Sequence, residues 1–215
     1  MPRTRASQDL EDALRHFGFV HVAGADEVGR GCLAGPVVAA AVVLDPARPV
    51  PGLADSKLLT PVARERLAPR IKTAAIAWAI REVSPADIDR LNIRQASLEA
   101  MRLAIRALVP LPGVVLVDGF PIPGFEIPQR GVVGGDRSCT AIAAASIIAK
   151  VYRDTLMVHL HAEDPRYGYD RHKGYGTPDH LAAIARHGYS PIHRRTFRPA
   201  GLFDTIEPAH RGTDD

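Results

Sequence analysis

Cysteine is nearly absent from the 215 residues: only Cys32 and Cys139 occur, and neither belongs to a CxxC pair. That excludes a disulfide framework and a thiolate zinc site, and it fits a reducing compartment. The opening residues, Met1 to Asp9, hold no apolar core of the kind a secretory signal needs. No run is long and apolar enough to span a membrane; the alanine-rich stretch 141–149 is short and runs into Lys150. No internal repeat, no linker and no glycine-rich phosphate loop is present. Net charge is also small. Lys and Arg number 27 against 24 Asp and Glu, a formal +3, and the pI of about 9.1 permits a polyanionic partner without demanding one. What is there is ordinary globular material, 46% apolar. The expectation is a single domain over 1–215, ordered over about 18–200, with loose tails at 1–8 and 203–215. A soluble, cytoplasmic monomer with no membrane partner is expected.

The chain is organised around Val22 to Pro36. A short apolar run, Phe19 to Ala25, stops at two adjacent acids, Asp26 and Glu27. Gly29, Arg30 and Gly31 follow, then Gly35-Pro36 and a second apolar run, Val37 to Leu44. This reads as two buried strands joined by a glycine-rich turn. The plain alternative is that both acids start a hairpin turn and pair with Arg30.

Helices are expected over about 8–17, with Leu10, Leu14 and Phe17 on one face, and from Pro61 to Lys72 behind a Thr60 cap. Ser84-Pro85 opens a helix in two pieces, the longer about Arg94 to Leu108. Ser138 is expected to cap a long helix to about His161, and Thr177-Pro178 to start a last one, to His187. Strands are expected near 19–26, 36–44, 74–83 and 113–118. Strands in succession, then strands alternating with helices, predict an α/β fold with a mixed sheet.

Asp26, Glu27, Asp118 and Asp136 all end apolar runs beside glycine. Neighbouring strands could gather them at one end of the sheet, where ligands bind in open α/β folds. Four carboxylates together repel each other unless cations offset them. Oxygen ligands without His or Cys nearby suit two Mg²⁺ or Mn²⁺ ions. Adjacent strand residues face opposite ways, so Asp26 and Glu27 share a site only if the strand bends, which Gly24 and Gly29 would allow.

Six blocks in order then resemble the ribonuclease HII family, type 2 ribonuclease H. They are Gly24–Gly31, Asp55-Ser56-Lys57, Leu116–Gly119, Gly135-Asp136 with Ala143–Asp154, Lys173–Thr177, and His193–Phe197. One departure is Gly134, where the family often has lysine. The resemblance implies a ribonuclease H-like fold: a five-stranded mixed sheet flanked by helices, with a C-terminal helical extension. It implies an endonuclease that cuts the RNA strand of RNA–DNA hybrids and incises DNA 5′ to embedded ribonucleotides, leaving 3′-hydroxyl and 5′-phosphate ends. Its partners are then RNA–DNA hybrid and ribonucleotide-containing duplex DNA. Carried over residue by residue, Asp26, Glu27, Asp118 and Asp136 hold the metals. Gly29, Arg30 and Gly31 read the 2′-hydroxyl, Tyr175 stacks on the following sugar, and Lys57 contacts phosphate. His193, Arg194 and Arg195 are expected to add phosphate contacts.

The remaining residues take plainer readings. Arg153 and Asp154 are expected to form a structural ion pair, the histidines to be mostly solvated, His193 to cap or pack, and both cysteines and Trp78 to be core. Ser146 and Lys150 suit either a core or a nucleic-acid-facing role.

Overall fold

The computed structural model describes residues 6–197. The elements are α1 (Asp9–His16), β1 (Val22–Val28), β2 (Val37–Val43), α2 (Pro61–Ala74), β3 (Ala77–Val83), α3 (Pro85–Leu91), α4 (Ile93–Arg106), β4 (Val114–Asp118), β5 (Gln129–Val132), α5 (Gly135–Ser138), α6 (Thr140–Glu163), α7 (Tyr169–His172) and α8 (Pro178–His187). The predicted five-stranded mixed sheet is present, in the order β3-β2-β1-β4-β5. β1 pairs antiparallel with β2 and parallel with β4, which places β1 at the centre.

Side-chain alternation sends β1 to two cores. Val22 and Val28 face a layer built on α6, while Ala23 and Ala25 face one built on α4. β2 is buried along its whole length because both its faces are covered. The first half of α6 is buried almost throughout, as its composition predicts. Ile142, Ile147 and Ile148 are each 0% exposed, worth about 1.5–3 kcal/mol apiece by area burial. Gly24 is what lets α6 in so close: a Cβ there would lie 2.2 Å from the Ala141 carbonyl carbon. It serves a close approach, not the bend expected of it.

Several expectations are corrected. β1 runs through both acids to Val28 and does not stop at them. Phe17 is 81% exposed, because the helix ends at His16 before it can turn that ring inward. Trp78 lies on the edge strand β3, 41% exposed, with the Lys72 ammonium 4.5 Å from its ring centre. Ser138 does not cap α6; its hydroxyl donates to the Gly134 carbonyl. The buried Glu11 takes that role from α1, accepting from Thr140 Oγ1 at 2.6 Å and the Ala141 N–H at 2.8 Å. Nothing in the local sequence links Glu11 to a helix 129 residues away. Ser7, within the stretch expected to be loose, bridges Cys139. The expected tail at 203–215 lies outside the described residues.

Candidate nucleic-acid and metal site

β4 ends one step beyond its last pairing with β1, Ala25 to Val117, so Asp118 comes beside Asp26 at the sheet's C-terminal end. Asp26 points to the α6 side and Glu27 to the α4 side. Asp118 bears on both, its charge acting on each of them. Asp136 arrives on the short α5, directly after β5, and is 5% exposed. The turn before it is pinned by the Gly135 N–H, which donates to Asp118 Oδ1 at 2.8 Å. Gly134 stands there in a left-handed conformation, φ 64°, which a lysine would adopt only with strain.

These acids are desolvated and crowded. Burial pushes the Asp26 carboxyl well above the ordinary range, and Glu27 and Asp118 push it further. Burial also raises Glu27, against the pull of Arg30 at 3.0 Å. Asp136 is raised by burial, then by Asp55 and Asp118. Such a set favours a bound cation over three bare charges. The donors are all carboxylate oxygen, the chemistry of Mg²⁺ or Mn²⁺. They fit such ions by kind, yet among the described residues no three acids, histidines or cysteines form a closed ligand shell. Glu27 is turned to Arg30 and Asp136 to Lys57, whose Nζ lies 3.7 Å away. A groove of about 240 Å³ opens on the Glu27 side, lined by Arg30, Arg94, Ser97 and Asp118.

The Asp55–Lys57 block docks here by a buried route. Asp55 is 0% exposed, and its Oδ1 accepts the Lys57 N–H at 2.8 Å. Burial would raise its pKa, but that N–H and the Arg137 guanidinium outweigh burial and hold it low. Ser56 and Ser146 share a 2.8 Å hydroxyl contact, which gives Ser146 an interior role. Lys57 itself is exposed.

The Gly29–Pro36 loop lies against the C-terminal extension. The Leu33 N–H donates to the Gly174 carbonyl, the Gly35 N–H to Ile192, and the Arg194 N–H to Leu33. Two buried arginines seal the contact. Arg153 donates to the carbonyls of Pro36, Ala34 and Lys173 at 2.9–3.0 Å. Arg194 donates to those of Gly29, Arg30 and Gly35. Both are 0% exposed. The expected Arg153–Asp154 pair is therefore absent; Asp154 bonds Lys150 at 2.7 Å. Arg194 and the 2% exposed His193 are too buried to hold phosphate, which overturns the expectation for both; Arg195 remains exposed. Burial draws Arg194 down to about 10, still charged at neutral pH.

Tyr175 bridges backbone to backbone with Cys32, which brings its ring beside the loop. The ring is 41% exposed, with Lys150 Nζ 5.9 Å from its centre. Behind it stands a buried histidine cluster; His193 packs there as expected, whereas His172 and His180 depart from the expected solvation. His180 Nδ1 meets the Tyr175 carbonyl at 2.9 Å, and His180 and His193 share a 3.0 Å contact. His172 stacks on His180 at 4.3 Å. Burial holds His180 and His193 neutral, each near 4.

A sequence profile described as Ribonuclease HII matches residues 23–200. A ribonuclease HII from Azoarcus sp. (strain BH72) is 57% identical over 178 residues, 83% of this chain and 87% of that one. Among solved structures, ribonuclease H2 from Pyrococcus horikoshii OT3 matches at 28% identity with a TM-score of 0.69, over 83% of this chain and 94% of that one. The RNase HII solved in complex with PCNA from Archaeoglobus fulgidus matches at 27% identity with a TM-score of 0.71, over 84% and 96%.

Proposed function

The chain belongs to the ribonuclease HII family, and on that premise we propose that it incises duplex DNA 5′ to a single embedded ribonucleotide, leaving 3′-hydroxyl and 5′-phosphate ends. As a ribonuclease H it is a hydrolase that degrades the RNA strand of RNA–DNA hybrids. The observation that carries the finer reading is the junction of two features. Three desolvated acids, Asp26, Glu27 and Asp136, lie with Asp118 at the strand ends, and the Gly29–Gly31 loop with Tyr175 adjoins them.

In this reading Asp26, Glu27, Asp118 and Asp136 hold two divalent ions, Mg²⁺ or Mn²⁺. Bound there, such ions supply an activated water and a steadied leaving 3′-oxygen. Gly29, Arg30 and Gly31 meet the 2′-hydroxyl, the one group that separates RNA from DNA at a single nucleotide. The exposed face of Tyr175 covers the next, deoxy sugar. Lys57, beside Asp136 and open to solvent, sits where a phosphate near the cut would pass. The chain acts as a monomer, and its two free, buried thiols suit the cytoplasm. The test is cleavage of duplex DNA carrying one ribonucleotide, with and without Mg²⁺. Incision 5′ to that nucleotide only in the presence of Mg²⁺ is expected. Cleavage confined to long hybrids would overturn the single-ribonucleotide reading.

A further inference from the structure

Arg194 has no carboxylate partner among the described residues, yet it is fully buried. Its guanidinium is satisfied by backbone alone. Nη2 donates to the Gly29 carbonyl at 2.6 Å, Nη1 to the Arg30 carbonyl at 2.8 Å, and Nε and Nη2 to the Gly35 carbonyl at 3.0 and 2.9 Å. Lysine could not make this pattern, since only the planar fork presents several donors at fixed angles.

The consequence lies on the other edge of each peptide. These peptide bonds are trans, and in a trans peptide the C=O and the N–H point in opposite directions. Turning the Gly29 and Arg30 carbonyls inward to a buried guanidinium therefore turns the N–H groups of Arg30 and Gly31 outward. Both residues are exposed, and neither N–H donates a hydrogen bond among the described residues. A side chain at Gly31 would meet open space, so the residue is open on its Cβ side. Two neighbouring donors, unpaired and turned away from the guanidinium, are left for acceptor oxygens of a ligand.

Arg153 holds the same loop from behind. A Cβ at Gly29, where φ is +91°, would lie 2.2 Å from Arg153 Nε. The glycine is required there both by its backbone conformation and by the guanidinium packed against it. Arg153 also ties the loop to the Tyr175 segment through the Lys173 carbonyl. The loop's outward donors and the Tyr175 ring are thus set relative to each other before any substrate arrives.

We infer that Arg194 is the positioning residue for ribonucleotide recognition: it fixes the Arg30 and Gly31 N–H groups as a pair of donors to the ribose 2′-oxygen. The inference rests on the single-ribonucleotide reading above. Arg194 never touches substrate; it acts by orienting two peptides. A loop freed from it keeps its sequence and its charge but loses the shared direction of its donors.

The test uses metal-free protein, so that binding is read without cleavage. Affinity is measured for a DNA duplex with one ribonucleotide and for the same duplex in all-DNA form. The parent is expected to prefer the ribonucleotide. Losing two aligned hydrogen bonds should reduce that preference about tenfold or more in Arg194→Met, with Arg194→Lys falling between it and the parent. A merely structural role would lower both affinities together, and a retained preference ratio would overturn the inference. Amide NMR of the parent covers the case in which the variants fail to fold. The Arg30 and Gly31 signals should shift with the ribonucleotide duplex and not with all-DNA. Signals that respond equally to both duplexes, in a parent that does prefer the ribonucleotide, overturn the inference and leave the reading of function standing. A parent with no preference for either duplex overturns the single-ribonucleotide reading, and the inference with it.

Discussion

Two buried charged clusters stand next to each other in this protein and are treated in opposite ways. At the strand ends, acids are buried with too few partners: Asp26, Glu27 and Asp136 are all pushed toward protonation. Under the neighbouring loop, Arg153 and Arg194 are buried with every group answered, by six backbone carbonyls in all. Burying a charge is costly unless it is paired or well hydrogen-bonded. Where the cost is met inside the chain, the result is a rigid brace. Where it is left unmet, the result is a place for a ligand of opposite charge.

The sharpest way to break this contrast is to remove one acid. If Asp118 holds an ion as proposed, Asp118→Asn should cut the Mg²⁺-dependent cleavage rate by at least about a thousandfold, because several kcal/mol of charge stabilisation goes with that ion. Its metal-free melting temperature should equal or exceed the parent's, since a like charge leaves a crowded set. Near-parental single-turnover cleavage at saturating Mg²⁺ would remove Asp118 from the site.

Removing a brace should do the reverse. Arg153→Ala leaves two buried carbonyls and the part-buried Lys173 carbonyl without the guanidinium donor, at a cost of about 3 kcal/mol. Urea unfolding reads it directly. A loss under about 1 kcal/mol would mean that water replaces the guanidinium at little cost.

The two regions should also titrate in opposite senses when no metal is bound. His180 and His193 fall from an ordinary 6.5 to about 4 in the folded chain. Between those values the unfolded chain binds more protons, so stability falls as pH drops below about 6.5, by up to about 2 kcal/mol per ring at pH 5. Asp26 and Glu27 are raised on folding. Just above their ordinary range the folded chain binds more protons, so for them stability falls as pH rises. Asp26→Asn should therefore steepen the acid-side loss, and His180→Phe should flatten it. Melting curves that move in parallel from pH 7 to pH 5 would contradict both assignments.

The smallest expected effect lies at the border between the regions. Lys57 is exposed and 3.7 Å from Asp136. If it meets one phosphate, Lys57→Ala should reduce the slope of log affinity against log salt by about one unit, leaving the cleavage position unchanged. An unchanged slope would confine Lys57 to its contact with Asp136.

How much of this was legible in the chain differs from element to element. The apolar runs ending at Ala25 and covering Val37–Val43, and the alanine-rich half of α6, announce buried elements, because burial on both faces leaves an uninterrupted apolar run. Thr60, Ser84 and Thr177 mark helix starts, since a side-chain cap followed by proline is a local device, and each accepts the expected N–H. The strand-end acids stand out because a carboxylate beside glycine after an apolar run is a local anomaly. Trp78 and Phe17 misled because an apolar side chain at a strand or helix terminus does not tell which side is covered. The buried His172 and His180 and the Arg153–Asp154 pairing misled for the same kind of reason. Sequence neighbours on α6 diverge, Arg153 turning into the core and Asp154 toward Lys150.

The main helices and strands, their cap residues and the acids at the strand ends are legible in the chain alone, because each is written within one turn or one strand. Only the tertiary structure decided which charges are answered. Glu11 reaches Thr140 across 129 residues, and Arg194 reaches Gly29 across 165. Such pairings depend on where the sheet order and the C-terminal extension bring distant backbone, and a buried charge finds its partner in space, with no periodicity along the chain to mark it.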